Sequence, residues 1–258
     1  METKPQISFV IVNYNSTHYI ERCLSSLLLK SENIEKEIII VSNDGSLLSV
    51  DSRIKILTSS QNSGFGSACN LGAKEAIGEY LCFLNPDTEI VSDNFQEIIS
   101  EFENDEKMGV IGIRLEEKNG KIQEWSAGKE INLWDIIGNN LGFKRSKKIW
   151  ESKNKFECAW VSGACLFIRR ELFEELEGFD KKFFLYFEDI DLCKRAVDLN
   201  YKILYFPKFI IKHFGGKSFG SKKEQKKHYY SSQDYYFQKH FGKLQYKMIK
   251  LLRKISCW

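Results

Sequence analysis

Seven cysteines are present (Cys23, Cys69, Cys82, Cys158, Cys165, Cys193 and Cys257), yet no two form a Cys-x-x-Cys pair. Their odd number and their place inside apolar runs argue against a disulfide framework or a zinc site. They suit reduced, buried thiols in a cytoplasmic protein. No apolar run approaches the roughly 18 residues that span a bilayer, and the polar start Met1 to Gln6 leads straight into a strand pattern. Neither a transmembrane helix nor a signal peptide is expected. Low-complexity tracts are missing too, and 258 residues with 43% hydrophobic and 14% aromatic content suffice for a full core.

Charge of one sign is scarce only locally. From Lys212 to Trp258, twelve lysines and arginines face Glu224 and Asp234 alone, so a mildly acidic body carries a basic, aromatic tail behind a net charge of +3. No nucleic-acid motif accompanies that charge, and no nucleic-acid partner is expected.

The strongest positive signal is Tyr80 to Leu84, an unbroken apolar run with the length and aromatic content of a strand buried on both faces. It stops at Asn85-Pro86-Asp87, because proline cannot donate a ladder hydrogen bond. Taken alone, this tripeptide reads either as an Asx-Pro turn or as ligand-binding side chains at the carboxyl edge of a sheet.

Upstream, the patterns predict strands at Ile7 to Val12, Ile38 to Val41 and Ile54 to Leu57, and helices over about Thr17 to Leu29 and Phe65 to Ile77. That order implies a wound, mainly parallel α/β sheet with helices on both faces. Polar loops follow Val12, Val41 and Leu84, so Asn13 and Tyr14, Asn43 and Asp44, and Asn85 and Asp87 should meet along one edge. Gly64-Phe65-Gly66 suggests a dinucleotide fingerprint, but its third glycine position falls on Cys69 and it does not follow the first strand.

Further on, a helix is predicted from about Asp93 to Asn104 and a strand at Gly109 to Ile113. Lys118 to Lys155 shows little pattern, and Trp125, Trp134 and Trp150 read either as packing residues or as platforms for sugar rings. The apolar run Phe156 to Ile168 is broken at Ser162-Gly163, where a backbone comes close to something.

Glu188-Asp189-Ile190-Asp191 opens a helix to about Leu199. At about 100° per residue, Ile190, Leu192, Cys193, Ala196 and Val197 define the buried face. Asp189 falls inside that arc, and Asp191 lies opposite, towards solvent. An inward carboxylate is costly unless bonded or working, which makes Asp189 the candidate general base. After strands near Ile203 to Phe206 and Phe209 to Ile211, His213 reads either as structural or, with Asp87, as half of a carboxylate and imidazole metal site.

With these residues in place, the sequence from Ser8 to Gly216 resembles inverting family 2 glycosyltransferases of GT-A fold, most of all the rhamnosyl- and galactofuranosyltransferase branch. The resemblance rests on Ser8 to Asn15, Asn62-x-Gly64-Phe65-Gly66 with Asn70-x-Gly72, Gly78-Glu79-Tyr80 and Leu84 to Thr88. It continues with Val161-Ser162-Gly163-Ala164, Arg169-Arg170, Gly178-Phe179-Asp180 and Phe184 to Cys193. It implies that Asp87 binds Mn2+ or Mg2+ and bridges it to a diphosphate, that His213 is a further ligand, and that Asp189, with Glu188 beside it, deprotonates the acceptor. It further implies a donor site of Val12, Asn13, Tyr14, Asn43, Asp44, Asn62, Gly64, Phe65, Asn70, Asn85, Pro86 and Asp87. The acceptor pocket would include Trp160, Ser162, Gly163, Ala164 and Glu188. Serine at position 42 stands where many relatives carry a base-reading aspartate, so UDP- and dTDP-sugars both remain candidate donors.

Two rival readings remain: a nucleotidyltransferase, for which no Gly-rich basic loop follows the first strand, and a non-catalytic module of the same fold. The expected division is a GT-A domain over 1–216 and a basic helical extension over 217–258. That extension would either lie on an anionic membrane, at the inner face and near a glycan or lipid-linked acceptor, or pack back on the domain.

Overall fold

A computed structural model describes residues 4–46, 51–59, 61–140, 144–215 and 221–255. Cys257 and the expected 216/217 boundary lie outside the described residues. The chain begins β1 (Ile7–Asn13), α1 (Thr17–Lys30), β2 (Lys36–Ser42), β3 (Ile54–Thr58), α2 (Phe65–Lys74) and β4 (Tyr80–Leu84). It continues with β5 (Thr88–Ile90), α3 (Phe95–Glu103), β6 (Met108–Glu116), β7 (Ala127–Gly128), α4 (Leu133–Asn140) and α5 (Lys147–Trp150). The apolar run after Lys155 folds as β8 (Phe156–Cys158), β9 (Trp160–Val161) and β10 (Cys165–Arg169), followed by α6 (Arg170–Glu175), α7 (Glu188–Asp198), β11 (Lys202–His213) and α8 (Lys222–Ile255).

Nine strands form one sheet in the order β3-β2-β1-β4-β10-β6-β11-β5, with β8 also on β11. The pairs β3–β2, β2–β1, β1–β4 and β6–β11 are parallel, whereas β10 runs antiparallel to both neighbours. β5 and β8 also run antiparallel to β11. Parallel strands covered on both sides need apolar residues at every position, which is why β1 and β4 are buried throughout. Alternate residues serve alternate faces. Phe9, Ile11, Cys82 and Leu84 pack with Leu24, Phe95 and Phe102 on one side, and Val10, Leu81 and Phe83 with Cys69, Leu172 and Leu192 on the other.

Two expectations change. The strands anticipated at 203–206 and 209–211 are one strand, β11, whose pairing with β6 shifts between Phe206 and Ile210. Pro207, lacking an N–H, sits at that shift and makes the sequence look like a break. Helix α2 also stops short of Ile77, because the Glu37 carboxylate accepts from the N–H groups of Ile77 and Gly78 and draws the chain out of the helix.

The tail is packed on the body. Tyr236, Phe237 and Ile249 of α8 are buried against Leu133, Ile136, Phe183 and Phe187. Gly242, at φ 80° and ψ 177°, interrupts the helix. That left-handed φ is one glycine adopts without a Cβ penalty, and it lets the second arm double back until Arg253 Nη2 reaches Asp234 Oδ1 at 2.8 Å.

Candidate active site

The carboxyl ends of β1, β2 and β4 meet as their strand order requires. Asn43 N–H donates to the Asn13 carbonyl at 2.8 Å, and Asn43 Nδ2 donates to Asn62 Oδ1 at 2.9 Å. Asn62 Oδ1 also accepts from the N–H of Gly64 at 3.0 Å. Gly64 holds φ 86°, and a Cβ there would fall 2.5 Å from the Phe184 carbonyl oxygen, so only glycine lets this turn approach the 184–187 loop.

A cavity of about 190 Å³ opens above this edge. Its walls are Val12 and Tyr14 after β1, Asn43 after β2, Asn62, Gly64 and Phe65 entering α2, and Asn85, Pro86 and Asp87 after β4. Three expected donor residues stand outside its lining. Asn13 is buried and donates through Nδ2 to Ser46 Oγ at 3.0 Å. Asp44 Oδ2 accepts the Asn15 N–H at 2.6 Å; burial acts to raise its pKa, but bonds from Ser46 and Asn15 outweigh this and hold it below the usual value. Asn70 braces the 178–180 loop, bonding both the N–H and the carbonyl of Phe179 at 2.8 Å.

His213, at the end of β11, places Nε2 3.3 Å from Asp87 Oδ1 and 3.3 Å from Asn85 Nδ2. Its Nδ1 lies 2.8 Å from Gln123 Oε1. An amide oxygen only accepts and an amide nitrogen only donates, so Nδ1 carries the proton and the Nε2 lone pair faces Asp87. A carboxylate converging on an imidazole lone pair fits Mn2+ or Mg2+. Among the described residues no cluster of three or more His, Cys, Asp or Glu side chains is arranged for a metal. An ion held by Asp87 and His213 would therefore draw further oxygen ligands from a bound diphosphate or water.

A larger cavity of about 640 Å³ adjoins the first, and Phe65, Asn85, Leu185, Tyr186 and His213 line both. Trp160, Ser162, Gly163, Ala164, Glu188 and Asp189 line it, as does Trp125. Trp150, by contrast, is buried beneath Trp125, with ring centroids 5.1 Å apart, and Trp134 points to solvent. Tyr186 and Phe187 both hold left-handed φ, 69° and 66°, unusual for aromatic residues; the strained pair turns the chain into α7.

At the start of α7 the two carboxyls divide their roles. Burial raises the pKa of Glu188 well above the ordinary value, and the neighbouring Asp189 charge adds to it. Glu188 Oε2 has no hydrogen-bond partner among the described residues. Burial also raises Asp189, but the N–H groups of Gly163 and Ile190 each donate to its carboxylate at 2.8 Å and favour the ionised form. Of the pair, Asp189 ionises first and Glu188 keeps its proton.

Asp191 overturns the helical-wheel expectation. It is fully buried, and Val197, expected inside, is exposed. The reason is α8, which covers the supposed solvent side: His240 Nε2 and Lys239 Nζ each lie 2.7 Å from Asp191 Oδ1, and Arg195 Nε donates to Oδ2 at 2.8 Å. Burial acts to raise the Asp191 pKa, and these cationic and hydrogen-bonding partners hold it below the usual value instead. Sequence reading also missed Gln123 and the α8 residues Tyr229, Tyr230, Gln233, Ile249 and Arg253, all of which line the larger cavity. The interleaved tyrosines of the tail were their only signal.

A wound sheet that gathers polar loops at one edge, beside a second cavity lined by Glu188 and Asp189, is GT-A architecture. The chain belongs to glycosyl transferase family 2, whose model matches residues 8–177, and it is a glycosyltransferase. Similar proteins include the rhamnosyltransferase WbbL of Escherichia coli, 27% identical, with the match covering 84% of this chain and 87% of that one. An N-acetylglucosaminyl-diphospho-decaprenol L-rhamnosyltransferase of Mycobacterium tuberculosis is 24% identical, over 82% of this chain and 76% of that one. The O-antigen biosynthesis protein RfbC of Myxococcus xanthus is 28% identical over 74% of this chain, which spans only 16% of RfbC. Among solved structures, GalNAc-T7 with UDP, GalNAc and Mn2+ superposes with a TM-score of 0.66 at 17% identity, covering 92% of this chain and 50% of the other. The mannosyltransferase PcManGT of Pyrobaculum calidifontis, in complex with GDP-Man and Mn2+, gives 0.62 at 16% identity, covering 94% and 66%. At such identities the superpositions establish the fold.

Proposed function

We propose that this glycosyltransferase moves a sugar, with inversion, from a nucleoside-diphosphate sugar to a glycan or lipid-linked acceptor in polysaccharide synthesis. The observation that carries the reading is the shared wall of the two cavities: the Asp87–His213 pair faces the smaller and Asp189 faces the larger, with His213 lining both. The names of the rhamnosyltransferase relatives favour an L-rhamnosyl donor, carried on dTDP or UDP.

In this reading the diphosphate lies against Asn43, Asn62 and the Gly64 turn. Asp87 and His213 would hold a divalent ion, which when bound would stabilise negative charge on the leaving phosphate. Asp189 takes the proton of the acceptor hydroxyl, whose oxygen bonds to the anomeric carbon from the face opposite the phosphate. The bond from that carbon to the phosphate oxygen breaks, and the diphosphate leaves with its electron pair. Glu188, protonated, spares Asp189 a second adjacent charge.

No described helix is long and apolar enough to cross a membrane. The second arm of α8 instead leaves Leu244, Met248 and Leu251 exposed by 73%, 43% and 59%, at spacings of four and three, between exposed Lys243, Lys247 and Lys250. An apolar row flanked by cations suits docking on an anionic bilayer, where a lipid-linked acceptor would be met.

The test is a panel of UDP- and dTDP-sugars scored for Mn2+-dependent binding and slow hydrolysis. Release of a nucleoside diphosphate is expected. Release of pyrophosphate would point to a nucleotidyltransferase, and no turnover with any sugar to a binding module. Asp87→Ala and a chelator should each weaken donor binding; indifference to both would remove the metal from the reading.

A further inference from the structure

Among the described cations of the tail, Lys239 turns in to Asp180 and Asp191, and Arg253 turns in to the larger cavity. Arg253 is the only lysine or arginine among the described residues lining the 640 Å³ cavity, and its side chain is only 17% exposed. It is held in place there. Nη2 donates to Gln233 Oε1 at 2.6 Å and to Asp234 Oδ1 at 2.8 Å, and the guanidinium carbon lies 4.1 Å above the centre of the Tyr230 ring. Among the described residues both of its hydrogen bonds use that one terminal nitrogen. A planar guanidinium carries five N–H donors, so the rest of the fork is left for another acceptor.

The surroundings narrow what that acceptor is. Tyr229 and Tyr230 line the cavity with Arg253, and Trp125 lines it from the body. Aromatic faces suit the C–H faces of a sugar ring, and a cation beside them suits an anion attached to that sugar. Arg253 is paired with Asp234 through one nitrogen only, and Glu124, Glu188 and Asp189 are the carboxylates lining the cavity, so among the described residues Arg253 is the one Lys or Arg that an anion bound there would meet.

We infer that the doubled-back α8 forms the acceptor subsite, and that Arg253, braced on Tyr230, binds the phosphate of a glycosyl phosphate ester whose sugar lies against Tyr229. This deepens the glycosyl-transfer reading and rests on it for the meaning of "acceptor". The same phosphate chemistry arises from a soluble sugar phosphate or from the head group of a diphospholipid.

The experiment measures binding rather than turnover, by tryptophan fluorescence of the full chain with UDP present. The probes are N-acetylglucosamine 1-phosphate, its neutral methyl glycoside, and a short-chain prenyl diphosphate-linked N-acetylglucosamine. Wild type should bind the phosphorylated probes at least about tenfold more tightly than the neutral one, as a charge-assisted bond would give. Arg253→Met should erase that preference, and Arg253→Lys should keep part of it. Equal affinity of the two phosphorylated probes identifies the soluble ester as sufficient; tighter binding of the prenyl probe identifies the lipid-linked source. Wild type with no preference for phosphate would overturn the inference, as would Arg253→Met with the preference intact, since the arginine would then serve only to tie α8 to Asp234. Failure of the donor panel with phosphate preference retained would instead overturn the transfer reading while leaving the anion site standing.

Discussion

The carboxylate of Asp189 accepts the backbone N–H of Gly163 at 2.8 Å, joining the first turn of α7 to the break in the apolar run that ends in β10. This bond fixes the carboxylate at the cavity wall and favours the ionised form against the burial that raises its pKa. Asp189→Asn is expected to reduce transfer by about a hundredfold or more while donor affinity stays within a few-fold. In wild type the rate should climb with pH as Asp189 loses its proton, with a midpoint above the ordinary aspartate range. A flat pH–rate profile, or substantial transfer by the asparagine variant, would remove Asp189 from the role of base.

Asp191 should matter for stability. Replacing it by alanine leaves Arg195 without its buried counter-charge and Lys239 with Asp180 alone, for an expected loss of about 3 kcal/mol. Its folded pKa is depressed, so its contribution is present above the ordinary aspartate range and lost as pH falls through the depressed value. The Tm gap between Asp191→Asn and wild type should therefore be wide at neutral pH and shrink in acid. A gap independent of pH would assign the loss to packing alone.

Gln123 orients His213 without facing the donor side. Gln123→Ala frees Nδ1 and lets the imidazole turn or change tautomer, so Mn2+ affinity should fall about 10- to 100-fold. Electron paramagnetic resonance titration of free Mn2+ reads this directly, without turnover. Unchanged affinity would mean that His213 is held by Asn85 and the strand alone, or is not a ligand.

The exposed row on the second arm of α8 predicts sedimentation with vesicles containing anionic lipid, weakened by salt and by neutral lipid. Leu244→Glu combined with Leu251→Glu should abolish it, because both side chains project outward and their change leaves the buried Ile249 contact in place. Vesicle binding by the double variant equal to wild type would place any membrane contact elsewhere.

Much of this architecture is written locally. The buried run at Tyr80 to Leu84 and the proline that ends it could only be a covered strand with oxygen-bearing side chains at its carboxyl edge. The loops after Val12 and Val41 follow the same rule, so the places of Asn43 and Asp87 and the mainly parallel winding were legible in the sequence, whereas the insertion of β10 antiparallel between β4 and β6 was not. Asp189 was legible because helical periodicity reports which side of α7 meets the sheet. Periodicity assumes one buried face, however, and α7 has two. Asp191 looked solvent-facing until Lys239 and His240, nearly fifty residues later, closed over it, and a chain-local pattern holds no information about such a contact. The same long-range packing brought Gln123 to His213 and turned Arg253 inward while Lys247 and Lys250 stayed in water. Strands, turns and candidate chemistry were thus determined by the sequence along short stretches. Which charged side chains are buried and paired was decided only when distant segments met, because the cost of burying a charge depends on the partner that arrives beside it.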